Sequence, residues 1–225
     1  MIKIDNVDVS GFSHAIRGMR NSWDSWSNSD SYWHEIKEYN DCDPGEKFRE
    51  YCVGPNDNAL MMKLATAGPE HAKYRRMIVC WFDCTAPLYW WKEFDTFKVG
   101  TVSNSCSTMH KIHSKEFTMD DFSCEHLTDY ENDGELCRDF KDELDCLVDE
   151  LNCARELFIK SGDKKWWWQM IQLLPSSYNQ RRTIMLNYEV LANIYRQRKN
   201  HKLDEWRDFC KWIKTLPYSE IILAE

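Results

Sequence analysis

Residues Leu173–Arg198 read LLPSSYNQRRTIMLNYEVLANIYRQR, and a change of period inside this stretch decides the fold class. Leu-Leu-Pro followed by two serines is turn chemistry, because proline cannot continue a helix and serine bonds its own backbone. Gln180 to Leu186 then brings Thr183, Ile184, Met185 and Leu186, a short run suited to a buried strand. From Asn187 the spacing switches. Asparagine is a good helix N-cap, and Val190, Leu191, Ile194 and Tyr195 share one helical face. At roughly 100° per residue, Asn193 and Arg198 point within about 140° of each other. Two amides and a guanidinium at a strand-to-helix junction suit a polar ligand with amide and anionic groups. The same residues also serve as a cap and as a cation complementing the helix dipole.

Working outward, 225 residues make one large domain or two small ones, enough to bury a substantial core. Hydrophobic content of 43% and charged content of 29% are those of a globular chain, not a disordered one. Eleven tryptophans are hard to bury with every indole N–H paired, so some are expected to line a flat pocket or a subunit interface. The net charge of -8 argues against general affinity for nucleic acid. The charge is uneven: Glu116–Glu156 holds fifteen acidic against three basic residues, and Lys160–Lys214 twelve basic against five acidic. Either run is also an ordinary solvated face. Ten scattered cysteines without a secretory leader predict reduced thiols and a cytoplasmic protein. No apolar run approaches membrane-spanning length.

Along the chain, Ile2, Ile4, Val7 and Val9 predict an N-terminal edge strand, and Ser13 caps a short helix through Arg20. Asn21–Asn58 has no sustained period and reads as loops and short helices, either a lid or an irregular surface arm. Asn56 caps a helix to about Ala67, stopped by Gly68-Pro69. Met77–Cys84 is the clearest strand, and Ala86-Pro87 opens a buried helix with Leu88, Trp90, Trp91 and Phe94. Thr101–Thr108 reads as a polar loop. Glu135–Ser161 carries a near-heptad apolar stripe, a core or oligomer seam. Trp166–Leu174 and Leu203–Leu216 complete the helices, and no internal repeat is present.

The pattern Leu-Pro, Ser, then Asn187-x5-Asn193-x4-Arg198, followed by His201 and Trp206, resembles the C-terminal half of the flavin-dependent thymidylate synthases (ThyX). A second block, Lys92–His113, resembles that family's signature of Arg-His-Arg, two spacers, Ser, spacer, Asn-Glu, spacer, Ser, spacer, Arg-Tyr. Anchored on Asn104 and Ser107, the Asn and second Ser are kept. Arg-His-Arg falls on Phe97-Lys98-Val99, the first Ser on Val102, the Glu on Ser105, and Arg-Tyr on Met109-His110. Two further family arginines fall on Glu189 and Ile171. Glu70-His71 and Ala86-Pro87 also look familiar. The resemblance covers about 56–217, with 1–55 a variable N-terminal strand, short helix and loops.

That resemblance implies a single α+β domain, a curved, mainly antiparallel sheet with long flanking helices, assembled as a homotetramer with shared sites. It implies FAD as cofactor, held by His71, Lys98, Asn104, Asn187 and Asn193. It implies a pyrimidine nucleotide such as dUMP, served by Ser107 and Arg198. The family's reaction passes a one-carbon unit from methylene-tetrahydrofolate to dUMP, with NADPH as a further co-substrate and reduced FAD supplying hydride. The cofactor carries the hard chemistry, so Ser107, with no His-Asp partner set, acts as a hydrogen-bonding group and not a nucleophile. Lost arginine forks remove charge-assisted bonds worth roughly 1.5–3 kcal/mol each. Lys92, Lys98 and Lys111 either replace part of that or are surface lysines. His71 is either the flavin-side histidine or a turn residue.

Cys106, His110 and His113 form C-x3-H-x2-H, a weak zinc pattern. Cys80 and Cys84 would lie about 13 Å apart along a strand, and no C-x2-C pair exists, so no metal is expected. Three functions remain open: an active divergent synthase, a catalytically inactive nucleotide- or flavin-binding homologue that regulates or sequesters, and a scaffold that binds no small molecule.

Overall fold

A computed structural model of the protein describes residues 2–36, 48–132 and 135–224. Strand β1 (Lys3–Ser10) runs to Gly11, whose φ of 102° is a left-handed conformation and whose missing side chain avoids overlap with the Met77 carbonyl. Helix α1 (Phe12–Arg20) is capped by Gly11 and not by Ser13, which sits inside the first turn. Its Phe12, Ala15, Ile16 and Met19 are buried.

Two short 3-10 turns follow, Asn21–Trp23 and Trp26–Asn28. Strands β2 (Tyr32–Ile36) and β3 (Phe48–Cys52) then pair antiparallel, from Tyr32 opposite Cys52 to Ile36 opposite Phe48. The loops and short helices predicted for Asn21–Asn58 therefore give way in part to a strand pair. Its signal is cross-strand: the Trp33 and Tyr51 rings meet edge-on at 5.0 Å, a contact that no local period reveals. Residues 37–47, part of the stretch read as a lid or arm, lie outside the described residues.

Helix α2 (Pro55–Thr66) starts with proline in its first turn and Gly54 as its cap, two residues before the expected Asn56. A 3-10 turn, Ala72–Met77, precedes β4 (Val79–Pro87), where buried positions alternate with partly exposed ones. Helix α3 (Leu88–Phe94) buries Trp90, Trp91 and Phe94. The predicted polar loop after it is instead strand β5 (Thr101–Ser105) and the single turn α4 (Thr108–Lys111). β5 is an edge strand whose residues are mostly exposed, so it lacks the apolar alternation by which strands are recognised.

Strands β6 (Asp129–Asn132) and β7 (Glu135–Asp139) pair antiparallel. Helix α5 (Phe140–Ser161) therefore starts five residues later than its stripe predicts, capped by Asp139, whose carboxylate accepts from the amides of Lys141 and Asp142. The remaining elements are α6 (Lys164–Leu173), β8 (Asn179–Asn187), α7 (Tyr188–Arg198), α8 (Asp204–Ile213) and α9 (Glu220–Leu223). The main sheet has the order β1-β4-β8-β5. The architecture is α+β.

The residues group into two compact units. Unit one takes in Phe82–Thr96, Ser103–Ile184 and β1 up to Asn6. Its core is the α5 stripe, Leu144, Val148, Leu151 and Ala154, packed with Phe117, Phe122 and Met170, each such burial contributing about 1.5–3 kcal/mol. Within it, Asp83 accepts from Asn6, Thr183 and Arg181 at 2.6–2.8 Å. The Thr183 bond first, then those of Asn6 and Arg181, hold its carboxyl at about 2.

Unit two takes in Val7–Trp81, Phe97–Val102 and the chain from Met185 onward. Its core includes Phe12, Met61, Tyr188, Leu191, Trp206, Phe209 and Ile213. The Tyr188 hydroxyl donates to the Pro217 carbonyl at 2.7 Å. Fully buried Asp57 accepts from Arg20 Nε at 2.6 Å and from the Ser29 and Ser31 hydroxyls at 2.6 Å each. Burial pushes its carboxyl up, but those three bonds outweigh it and hold the group below the ordinary range.

Candidate functional site

The strand-to-helix switch at Asn187 is as the sequence predicts. Asn187 is extended, and its Oδ1 accepts from the Val190 amide at 3.1 Å. Its amide nitrogen packs against Gly100, where a Cβ would come within 2.7 Å of it and where φ is +81°. Asn193 uses its Oδ1 for Arg196 (3.0 Å) and Gln197 (2.8 Å). The Arg198 guanidinium lies over the rings of Phe97 (5.6 Å) and Trp206 (5.1 Å), and those rings meet edge-on at 5.9 Å. Lys98 is exposed beside Phe97. Unit two therefore holds Lys98, Asn187, Asn193 and Arg198.

Both asparagines commit their carbonyl oxygens within the chain, which leaves their amide N–H groups as donors, and Lys98 is an accessible cation. Glu189 cannot replace the arginine that the resemblance puts at its position. It pairs with buried Arg75 at 3.6 Å.

His71 is exposed in the turn before Ala72–Met77, 3.8 Å from Glu70, and it borders a separate large cavity in the same unit. Asn104 is exposed on β5.

Ser107 caps α4, its hydroxyl accepting from the His110 amide at 3.1 Å. It lines a cavity of about 450 Å³ in unit one, within the range of small-molecule sites. Lys111, Lys115 and Arg181 supply positive charge around this cavity, and Phe117 and Tyr178 supply rings. Arg181 bonds Asp5 (2.9 Å) and Asp83 (2.8 Å), and Lys115 pairs with Asp121. Among the described residues, exposed Lys111 has no carboxylate partner. The wall is pinned by Gln180 donating to the Cys106 carbonyl (3.0 Å) and by the Cys106 amide donating to that of Arg181 (2.9 Å). Asn179 accepts from Ser123 at 3.0 Å, leaving its N–H groups as donors.

Sequence reasoning gives Tyr178, Asn179 and Arg181 no site role. The consecutive run Tyr178 to Arg181, entering β8, lines the Ser107 cavity. Asn104, three residues from Ser107, is not in that lining. Among the described residues no three His, Cys, Asp or Glu side chains converge on a metal position. Burial pushes the Cys80 thiol up to about 12, which makes it a poor ligand. Among the described residues no helix is long and apolar enough to cross a membrane.

No family model and no curated protein matches the sequence. Solved structures do match the fold. A crystal structure of thymidylate synthase X from Helicobacter pylori with FAD and dUMP matches with a TM-score of 0.65 at 16% identity, over 100% of this chain and 98% of that one. A second Helicobacter pylori structure, complexed with FAD and dUMP, matches at 0.64 and 16%, over 98% of both chains. The UMP/dUMP methylase PolB from Streptomyces cacaoi, bound with 5-Br dUMP, matches at 0.59 and 15%, over 99% of this chain and 94% of that one. The chain has the thymidylate synthase X fold along its whole length.

Proposed function

We propose that this protein binds a uridine nucleotide, such as dUMP, in the Ser107 cavity and FAD along α7. We further propose that it methylates the nucleotide from methylene-tetrahydrofolate. One observation carries the reading: on a fold that matches structures solved with dUMP, a cavity of nucleotide size gathers Ser107, two rings, an amide, and three cations against the two carboxylates Asp120 and Asp121.

Lys111 meets the 5′-phosphate, with Lys115 and Arg181, each already paired with a carboxylate, adding positive charge at the edge of the site. The rings of Phe117 and Tyr178 pack the base, the Asn179 amide donates to a base carbonyl, and Ser107 adds a hydroxyl. Each charge-assisted bond contributes about 1.5–3 kcal/mol. Asn187, Asn193 and Lys98 orient the flavin, which when bound supplies hydride; NADPH is the reductant that the sequence resemblance implies. Arg198, stacked on Phe97 and Trp206, is a further cation of unit two in the set that the resemblance names. His71, turned to a different cavity, is the weakest member of the set. A homotetramer in the cytoplasm, as a single ThyX-like domain, completes the proposal.

The test is calorimetric titration of the purified protein with dUMP and UMP, alongside its flavin absorbance. Saturable binding weakened about tenfold by Lys111→Ala supports the reading. Absence of binding, or binding indifferent to Lys111→Glu, refutes it.

A second reading, binding without turnover, is favoured by Phe97. At the first arginine position of the signature stands a buried ring that packs on Trp206 and contributes nothing to anion binding. Under this reading dUMP binds but the protein does not rescue a thymidine auxotroph.

A further inference from the structure

The Ser107 cavity has two poles. Exposed Lys111 lines it and, among the described residues, pairs with no carboxylate. Asp120 lines it as well, is exposed, and among the described residues its side chain has no hydrogen bond or ion pair. The two opposite charges therefore share one lining without meeting each other. Lys115 does not link them, because it is paired with Asp121. Arg181 does not link them either, since it bonds Asp5 and Asp83.

The fold makes no comparable use of Asp120. It sits in the 3-10 turn Met119–Asp121, which a reciprocal cap closes: the Thr118 amide donates to Asp121 Oδ2 at 3.0 Å and the Thr118 hydroxyl bonds it at 3.3 Å. Asp121 is thereby committed to the cap and to Lys115. In a three-residue turn few peptides are aligned, so the helix dipole gives Asp120 little to hold it.

A carboxylate accepts hydrogen bonds and offers none. In a cavity that takes a uridine nucleotide its partners are few. The 5′-phosphate repels it, and the base carbonyls are acceptors like itself. The one base N–H lies between those carbonyls. The remaining donors are the sugar hydroxyls, and a vicinal pair of them matches the two carboxylate oxygens. Ribose has such a pair and 2′-deoxyribose does not.

We propose that Asp120 reads the sugar of the bound nucleotide, accepting from its 2′- and 3′-hydroxyls, so that the Ser107 cavity prefers UMP to dUMP. This assignment rests on the reading of the cavity as a uridine nucleotide site and adds which sugar the site takes. Lys111 and Asp120 also set the direction of the ligand, phosphate toward the first and diol toward the second. A buried acceptor left unpaired rejects the analogue that lacks the hydroxyl steeply. Asp120 is exposed, so water replaces a missing hydroxyl and the preference is about tenfold.

The experiment is calorimetric titration of the full chain with UMP, dUMP and 2′-O-methyl-UMP as separate arms. UMP is expected to bind about tenfold tighter than dUMP. 2′-O-methyl-UMP, whose 2′-oxygen cannot donate, should bind like dUMP. Asp120→Ala should weaken UMP about tenfold and dUMP no more than about threefold, which brings the two close together. Asp120→Asn, which keeps the shape and one acceptor oxygen, should fall between. Lys111→Ala should weaken both nucleotides alike and leave their ratio unchanged, which separates the phosphate pole from the sugar pole. Binding of neither UMP nor dUMP refutes the uridine nucleotide reading and this assignment with it. Equal affinity for both, a UMP preference that survives Asp120→Ala, or an Asp120→Ala that weakens both alike overturns the assignment and leaves that reading standing.

Discussion

Replacing Asp57 by alanine removes the centre of a hydrogen-bonded cluster beneath the large cavity. Its Oδ1 accepts from Arg20 Nε at 2.6 Å, and its Oδ2 accepts from the two serine hydroxyls and, at 3.2 Å, from the amides of Asp30 and Ser31. Arg20, only 6% exposed, would retain the Ser25 carbonyl at 3.3 Å. A buried cation stripped of its carboxylate costs about 3–5 kcal/mol. The lost serine bonds overlap with this and do not simply add, so Asp57→Ala should lose about 4 kcal/mol, a large part of the roughly 5–15 kcal/mol that a domain commands. Ser29→Ala, which leaves the ion pair, should lose about 1.5 kcal/mol. The double variant Arg20→Met, Asp57→Ala should recover much of the loss, because no charge is then left buried alone. Urea unfolding followed by circular dichroism reads these three variants, Arg20→Met alone and the unaltered protein. An Asp57→Ala loss under about 1 kcal/mol, or a double variant no better than the sum of the singles, would show that the pair is not coupled as described. Acid adds a check. A carboxyl lowered by folding stabilises the protein above its unfolded pKa of about 3.9 and loses that contribution as pH falls through the lower folded value. Asp57→Asn should therefore flatten the stability curve below about pH 4.

Gly100→Ala meets both a left-handed φ and the Asn187 amide, and should cost about 1–3 kcal/mol, seen as a lowered melting temperature and faster amide exchange at the start of α7. Tyr188→Phe removes the buried hydroxyl bond to Pro217 and should cost about 1 kcal/mol by denaturant titration. Asp83, held at about 2 chiefly by Thr183, should titrate by carboxyl NMR near that value, and Thr183→Val should move its midpoint upward; an unmoved midpoint counts against the assignment.

The parts of the fold legible in the sequence are those where burial imposes a period. The α5 stripe, the alternation of β4, and the junction at Asn187 were readable because one face of each is packed in a core. The elements that escaped are stabilised by partners distant in sequence. β5 is polar because it lies at an edge, and β2 and β3 depend on each other. The site divides along the same line. Asn187 is legible because it also caps a helix; Ser107 is reached only through the family resemblance, since the short turn that it caps reads as polar loop. Lys115, Tyr178 and Arg181 acquire meaning only when β8 and the segment after α4 border one cavity, a juxtaposition without a local signature. Cys106 and His113 show the opposite error: a spacing that resembles a metal motif while the chain uses the residues elsewhere, the His113 ring against Phe158 at 4.9 Å and its carbonyl as an acceptor for Arg155.

The guanidinium of Arg198 lying across Phe97 and Trp206 has a consequence for any attempt to add positive charge there. Arginine at 97 by itself would bring a second like charge beside Arg198 and delete a ring from the stack. Position 97 can therefore gain a cation only if position 198 gives one up, and the two have to be altered as a pair.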